Sequence, residues 1–220
     1  MRSSLPLLVR RHRYAILFAV LLVTLTLGPL LEALSFGRRA MDLLLCASLV
    51  AALFPIGKRV ERHVLLVLVA VAQALRWWAR DAGGELALVG GVLWGLLAIT
   101  AAWHAVRYAL SSPHVRSEHM AAALSAYLLI GIFGGVVFAA LSALAPGSMA
   151  LGGQPATSGL GMGNALYFSF ITLATLGYGD ITPLSQVARG LATLEAITGQ
   201  LYLALLVARL VGLRSTVPSA

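Results

Sequence analysis

A run of six residues, Thr175-Leu176-Gly177-Tyr178-Gly179-Asp180, lies between long apolar stretches of a chain that otherwise reads as lipid-facing helix. Polar, glycine-punctuated backbone is costly at membrane depth, because its N–H and C=O groups have no water to bond. It is tolerated there only where protein buries it or where it lines a wet pathway. The wider stretch 164–183, NALYFSFITLATLGYGDITP, therefore points to a route for an ion.

The membrane setting follows from composition. Apolar residues make up 60% of the chain and the mean hydropathy is +0.90. Charged residues are 11%, against about 25% in an ordinary globular protein. Several apolar runs reach the roughly 20 residues that cross a bilayer core as helix. The formal net charge of +8 does not signal nucleic acid: the charges occupy short loops, with no basic helix and no aromatic–basic platform. Cys46 is the only cysteine, so no disulfide forms within the chain. The first apolar run, 14–34, follows Arg10, Arg11, His12 and Arg13. It exceeds the roughly 7–15 residues of a signal-peptide core and reads as a retained span.

Taken in order, the spans are expected at 14–34, 41–55, 64–79, 85–108, 120–145 and 187–211. A brief turn holds Gly37, Arg38 and Arg39, and a basic loop runs through Gly57, Lys58, Arg59, Glu61, Arg62 and His63. Trp77 and Trp78, beside Arg76 and Arg80, suit an interfacial aromatic belt. Gly83-Gly84 turns the chain, and 111–116 is a polar breaker. Residues 146–163, rich in Gly, Pro and Ser, read as a loop outside the membrane. The short helix expected at 164–174 cannot cross at about 1.5 Å per residue, and so re-enters. Of the 16 Lys and Arg residues, only Arg38, Arg39, Arg76, Arg80 and Arg189 then fall outside, which satisfies the positive-inside rule and puts both termini in the cytoplasm. Gly91 with Gly95, and Gly131 with Gly135, form small-residue faces whose plain reading is close helix packing within the bundle.

Two glycines in the 175–179 run free the backbone to adopt conformations that other residues avoid. Successive carbonyls can then face one axis and replace the water shell of a cation. One chain offers one such strand, so a full ring requires several copies, most simply four.

The run TLGYGD resembles the potassium channel signature, with Leu176 where valine is commoner. The likeness extends over 121–212, through the preceding YFSFITLAT and the following apolar span. It implies potassium sites at the carbonyls of Thr175, Leu176, Gly177 and Tyr178 and at the Thr175 hydroxyl. Gly179 completes the outer mouth, with Asp180 just above it and Thr172 as support. The short helix would aim its negative dipole end at a cation in the cavity. Gly199 matches the position of a hinge glycine, and Gln200, Leu203, Val207 and Val211 match cavity-lining positions. Two departures stand out. Tyr167 and Phe168 replace a tryptophan pair, and Ile171 replaces the glutamate that partners the aspartate in the two-helix bacterial relatives, so that clamp is expected to be missing.

The expected fold class is an all-α membrane protein with six transmembrane helices, a re-entrant pore helix and a homotetrameric pore. Its parts are a four-helix domain at 1–110, a linker at 111–119, a pore domain at 120–214 and a short cytoplasmic tail at 215–220. The four-helix domain lacks a series of sensor arginines. Each charge contributes about 2.3 kcal/mol per 100 mV, and the fourth span carries only Arg107 and His104 near its inner end. Voltage sensing is therefore expected to be weak or absent. The short tails are expected to carry no ligand-gating domain, so gating would lie in the membrane or come from a partner.

Glu195, an acid within a span, is a functional candidate by default, either as a titratable support near Ser169 or Thr172 or as a structural hydrogen-bond partner. His104 and His119 read as interface or loop histidines. No enzyme activity and no cofactor are expected, potassium being the permeant ion, and the setting would be a plasma membrane of bacterial type. The rival readings are a poorly selective cation channel, an ion-coupled potassium transporter and a non-conducting membrane interaction protein. Transporters of that kind carry four pore loops in one chain, where this sequence has one.

Overall fold

A computed structural model describes residues 12–33, 37–56, 59–82, 85–112 and 116–214. Gly57, Lys58, Gly83, Gly84, the middle of the expected linker and the tail 215–220 lie outside the described residues, as do the side chains of Arg76, Trp77, Trp78 and Arg80. The chain divides into two compact units, Met1–Leu129 and Ile130–Ala220.

The first unit is helical. Helices α1 (Arg13–Ala33) and α2 (Gly37–Leu53) pack along each other, as do α3 (Arg59–Ala82) and α4 (Glu85–Ala109), and α2 also touches α3 and α4. Leu17 and Leu21 on α1, and Leu45, Leu49 and Leu53 on α2, recur at four-residue spacing and are buried. That spacing puts them on one helical face. Val60, Val64, Val67 and Val71 on α3 and Val89, Val92, Leu96 and Trp103 on α4 stay exposed, as lipid-facing residues would. At one end, the Arg13 guanidinium lies 4.9 Å from the Tyr108 ring centre. Tyr14 stacks on Tyr108 at 4.4 Å, and Tyr108 on His119 at 5.0 Å. The Tyr14 N–H donates to the Glu118 carboxylate at 3.0 Å. His104 pairs with Glu61 at 3.3 Å. His119 is thus held by ring stacking and His104 by a polar pair.

Three expectations need correction. The turn at Gly37–Arg39 is instead the start of α2, and Arg59 to His63 form the first turns of α3. Helices keep going beyond the bilayer core, because charged residues at their ends are solvated and the backbone bonds persist. The Gly91–Gly95 face is closed only at Gly95, which is buried; a Cβ on Gly91 would meet nothing within 4 Å among the described residues.

Helix α5 (Ser117–Leu144) carries the boundary between the units. In the second unit it is followed by strands β1 (Met149–Leu151) and β2 (Gln154–Pro155), helix α6 (Met162–Leu173), strand β3 (Ile181–Pro183) and helix α7 (Gln186–Arg214). The expected plain loop 146–163 therefore contains a hairpin. Gly152 and Gly153 have φ of +59° and +79°, the two positive values that a type I′ two-residue turn needs. The sheet order is β2-β1-β3, antiparallel throughout, with Ala150 opposite Thr182 and Leu151 opposite Ile181. Below it lies a core of Phe138, Met149, Leu160, Ala165, Phe168, Ile181 and Ala188. Phe138 and Phe168 meet edge to face at 4.8 Å, a favourable aromatic geometry.

Stretches within α4 (Val89–Ala109) and α7 (Gln186–Arg209), and the whole of α5, are long and apolar enough to cross a membrane. Arg13–Gly28, Met41–Leu53 and Met162–Leu173 are shorter apolar helices.

Candidate functional site

The second unit holds the loop 174–180 between α6 and β3, and its geometry follows from how α6 ends. The Ala174 N–H donates to the Phe170 carbonyl at 3.0 Å and the Thr175 N–H to Thr172 at 2.9 Å. The next two amides also turn back: Leu176 and Gly177 N–H both reach the Ile171 carbonyl, at 2.8 and 3.2 Å. Successive donors thus satisfy the carbonyls that a helix end would otherwise leave open. This reversal requires left-handed backbone, and Thr175, Gly177 and Gly179 have φ of +57°, +55° and +83°. Glycine does this without steric cost, whereas for a β-branched threonine it is a true outlier. Such outliers cluster where function holds the chain.

With the amides drawn back, the carbonyls are left over. Among the described residues, the carbonyl oxygens of Thr175, Leu176, Gly177 and Tyr178 receive no hydrogen bond. The whole run from Ala174 to Asp180 is exposed in the single chain. The loop therefore presents acceptors without donors, the chemistry of a site for a bare cation.

Both ends of the loop are anchored. On the far side, the Asp180 carbonyl accepts from Gly152 N–H at 2.8 Å, and β3 then joins the sheet. The Asp180 carboxylate faces the Tyr167 hydroxyl on α6. Ile171, where the relatives carry a glutamate, is buried instead. The acid partner is absent as expected, but Asp180 still has an α6 partner one turn earlier, a role the sequence reading did not give Tyr167.

Helix α7 backs this arrangement. A Cβ on Gly199 would run into the Leu173 carbonyl oxygen and lie 3.0 Å from its carbon. Gly199 thus gives α7 its close approach to the end of α6. The adjacent Gln200 donates through Nε2 to the Thr175 hydroxyl at 3.2 Å. Leu203, Val207 and Val211 continue along α7 and are exposed in the single chain. One turn before Gly199, Glu195 meets Ser169 of α6 at 2.5 Å. Of the two expected neighbours of Glu195, Ser169 hydrogen-bonds it, and the Thr172 backbone carbonyl accepts from the Thr175 amide. The Gly131 and Gly135 face is used as expected: a Cβ at either would press on Phe170 or Leu166 of α6, at 2.5 and 2.6 Å.

The residues that build this site, 123–213, match the ion channel family model. Part of the chain is also similar to the inward rectifier potassium channel Kirbac3.1 of Paramagnetospirillum magnetotacticum, 46% identical over 57 residues. That match covers 26% of this chain and 19% of the relative, so the chain spans about a fifth of it. No solved structure matches the chain.

Proposed function

We propose that the chain is one subunit of a homotetrameric, potassium-selective channel of a bacterial-type plasma membrane. Each subunit contributes six spans and has both termini in the cytoplasm. One observation carries this reading: four consecutive carbonyls, Thr175 to Tyr178, stand without donors while the neighbouring amides are drawn into the end of α6. Four copies around an axis would supply rings of carbonyl oxygens that substitute for the hydration shell of potassium. The Thr175 hydroxyl, whose oxygen accepts from Gln200, would close the inner end of the row, and Gly179 and Asp180 would form the outer mouth. Transport is passive, down the gradient. The carboxyl end of α6 would add its negative dipole toward a cation below the loop, with Leu203, Val207 and Val211 lining the cavity.

The test is ion flux through purified protein in liposomes. Potassium should pass and sodium should be largely excluded. Gly177→Ala should abolish selective flux, because a Cβ at φ +55° costs about 1–2 kcal/mol where four copies must agree. A potassium-over-sodium reversal potential left intact in that variant would sink the assignment. In planar bilayers the conductance–voltage curve should be shallow, and a steep one would contradict the reading of the first unit as lacking a sensor.

A further inference from the structure

Glu195 is built into a place where proton counting decides its charge. Ser169 is fully buried on α6. Its Oγ lies 2.6 Å from the Gly131 carbonyl of α5 and 2.5 Å from Glu195 Oε1 of α7. Both separations are hydrogen-bond distances for oxygen pairs, so each requires a proton between its two oxygens. A serine hydroxyl supplies one proton, and a backbone carbonyl supplies none. The second proton has to come from Glu195. An ionised carboxylate would leave one of the two contacts as bare lone pair against lone pair.

The surroundings agree. Glu195 Oε2 is buried with no hydrogen-bond partner among the described residues, tolerable for the carbonyl oxygen of a neutral acid and costly for a charged one. Among the described residues, no ion pair reaches Glu195. Residues 130–144 of α5 hold no Asp, Glu, His, Lys or Arg, and α6 holds none either. The one titratable side chain on α6, Tyr167, faces Asp180. On α7, Arg189 donates to the Pro183 carbonyl, Tyr202 lies about two turns beyond Glu195, and Arg209 and Arg214 are farther still. Gly134 makes the room: a Cβ there would occupy the space of the Glu195 carboxyl and lie 2.7 Å from Ser169 Oγ.

We propose that Glu195 is held as a neutral carboxylic acid that donates to Ser169, which donates in turn to Gly131, and that losing this proton releases α6 and lowers conduction. The relay joins α7, α6 and α5, and with the Gly199–Leu173 and Gln200–Thr175 contacts it makes three successive supports along one stretch of α7. Deprotonation puts an unpaired charge against Ser169 and leaves one proton for two acceptors. The arrangement is therefore complete while Glu195 keeps its proton and fails once rising pH removes it. The regulatory half of this proposal rests on the channel reading above; the proton assignment does not.

The experiment takes the full-length protein in liposomes and measures two things. Infrared difference spectra with isotope-labelled glutamate should show a protonated-carboxyl band at neutral pH that is absent in Glu195→Gln. Potassium flux of the wild type should fall with alkalinity at up to roughly tenfold per pH unit beyond its midpoint, the slope of a single proton. Glu195→Gln, whose amide N–H can replace the acid proton, should give flux independent of pH whatever its absolute level. If that variant does not fold, the wild-type band and the wild-type flux should still disappear at the same pH. No band at neutral pH, or a glutamine variant that titrates like the wild type, overturns the proposal. A band with no flux in any protein refutes the channel reading and the regulatory half with it, and leaves the proton assignment standing.

Discussion

Two glycines on α7 should respond oppositely to the same substitution. Gly199 lies against the Leu173 backbone carbonyl, while a Cβ on Gly190 would meet nothing within 4 Å. Alanine is favoured over glycine in a helix interior by about 1 kcal/mol, and both positions gain this term. At Gly199 the new methyl group also has to displace backbone, which cannot rotate aside as a side chain can. Overpacking costs about 1–3 kcal/mol, and a backbone collision belongs at the upper end, leaving a net loss of about 2 kcal/mol after the propensity gain. For a chain of this size each kcal/mol moves the midpoint by roughly 2–4 °C. Gly199→Ala should therefore unfold roughly 4–8 °C earlier, and Gly190→Ala roughly 2–4 °C later. The assay is thermal unfolding of the detergent-purified proteins followed by tryptophan fluorescence. If Gly199 served only as a hinge, alanine would stiffen and stabilise the helix. Gly199→Ala melting at or above Gly190→Ala would thus refute the packing argument.

Two further outcomes are expected in the same assay. Phe168→Ala, which empties the centre of the core under the sheet, should cost about 3–5 kcal/mol, and a loss below 1 kcal/mol would mean that this core does not hold the unit together. Gly153→Ala, at φ +79°, should cost about 1–2 kcal/mol although nothing crowds the site, and an unchanged midpoint would argue against the type I′ turn.

The helices were legible because lipid-crossing segments need long apolar runs, and hydropathy sees those runs directly. Their ends were not, because hydropathy measures depth in the bilayer and not helix length. Arg59, Glu61 and Arg62 leave the apolar region and still belong to α3. The loop 174–180 was readable from its glycines and its apolar frame, and the positive φ values at Gly177 and Gly179 follow from them. Thr175 gave no such signal, since only the pull of the α6 end forces it into the same region. The Gly152-Gly153 hairpin could have been read from that dipeptide, but its flanking strands are too short to show alternation. The relay of Gly131, Ser169 and Glu195 joins residues 38 and 26 positions apart. Ser169 was already a candidate neighbour of Glu195 in the sequence, but only the fold adds the Gly131 carbonyl of α5 to the pair.

The carbonyls left without donors also bear on how the protein matures in the membrane. In hydrocarbon each unsatisfied backbone group costs several kcal/mol, and one copy presents four in a row. A newly inserted chain on the proposed reading cannot rest alone with this loop at membrane depth. Until other copies arrive, the loop must be kept wet, either by water drawn in beside it or by delayed entry of α6. The feature that would carry the ion thus sets the order of biogenesis, with burial of the loop waiting on assembly.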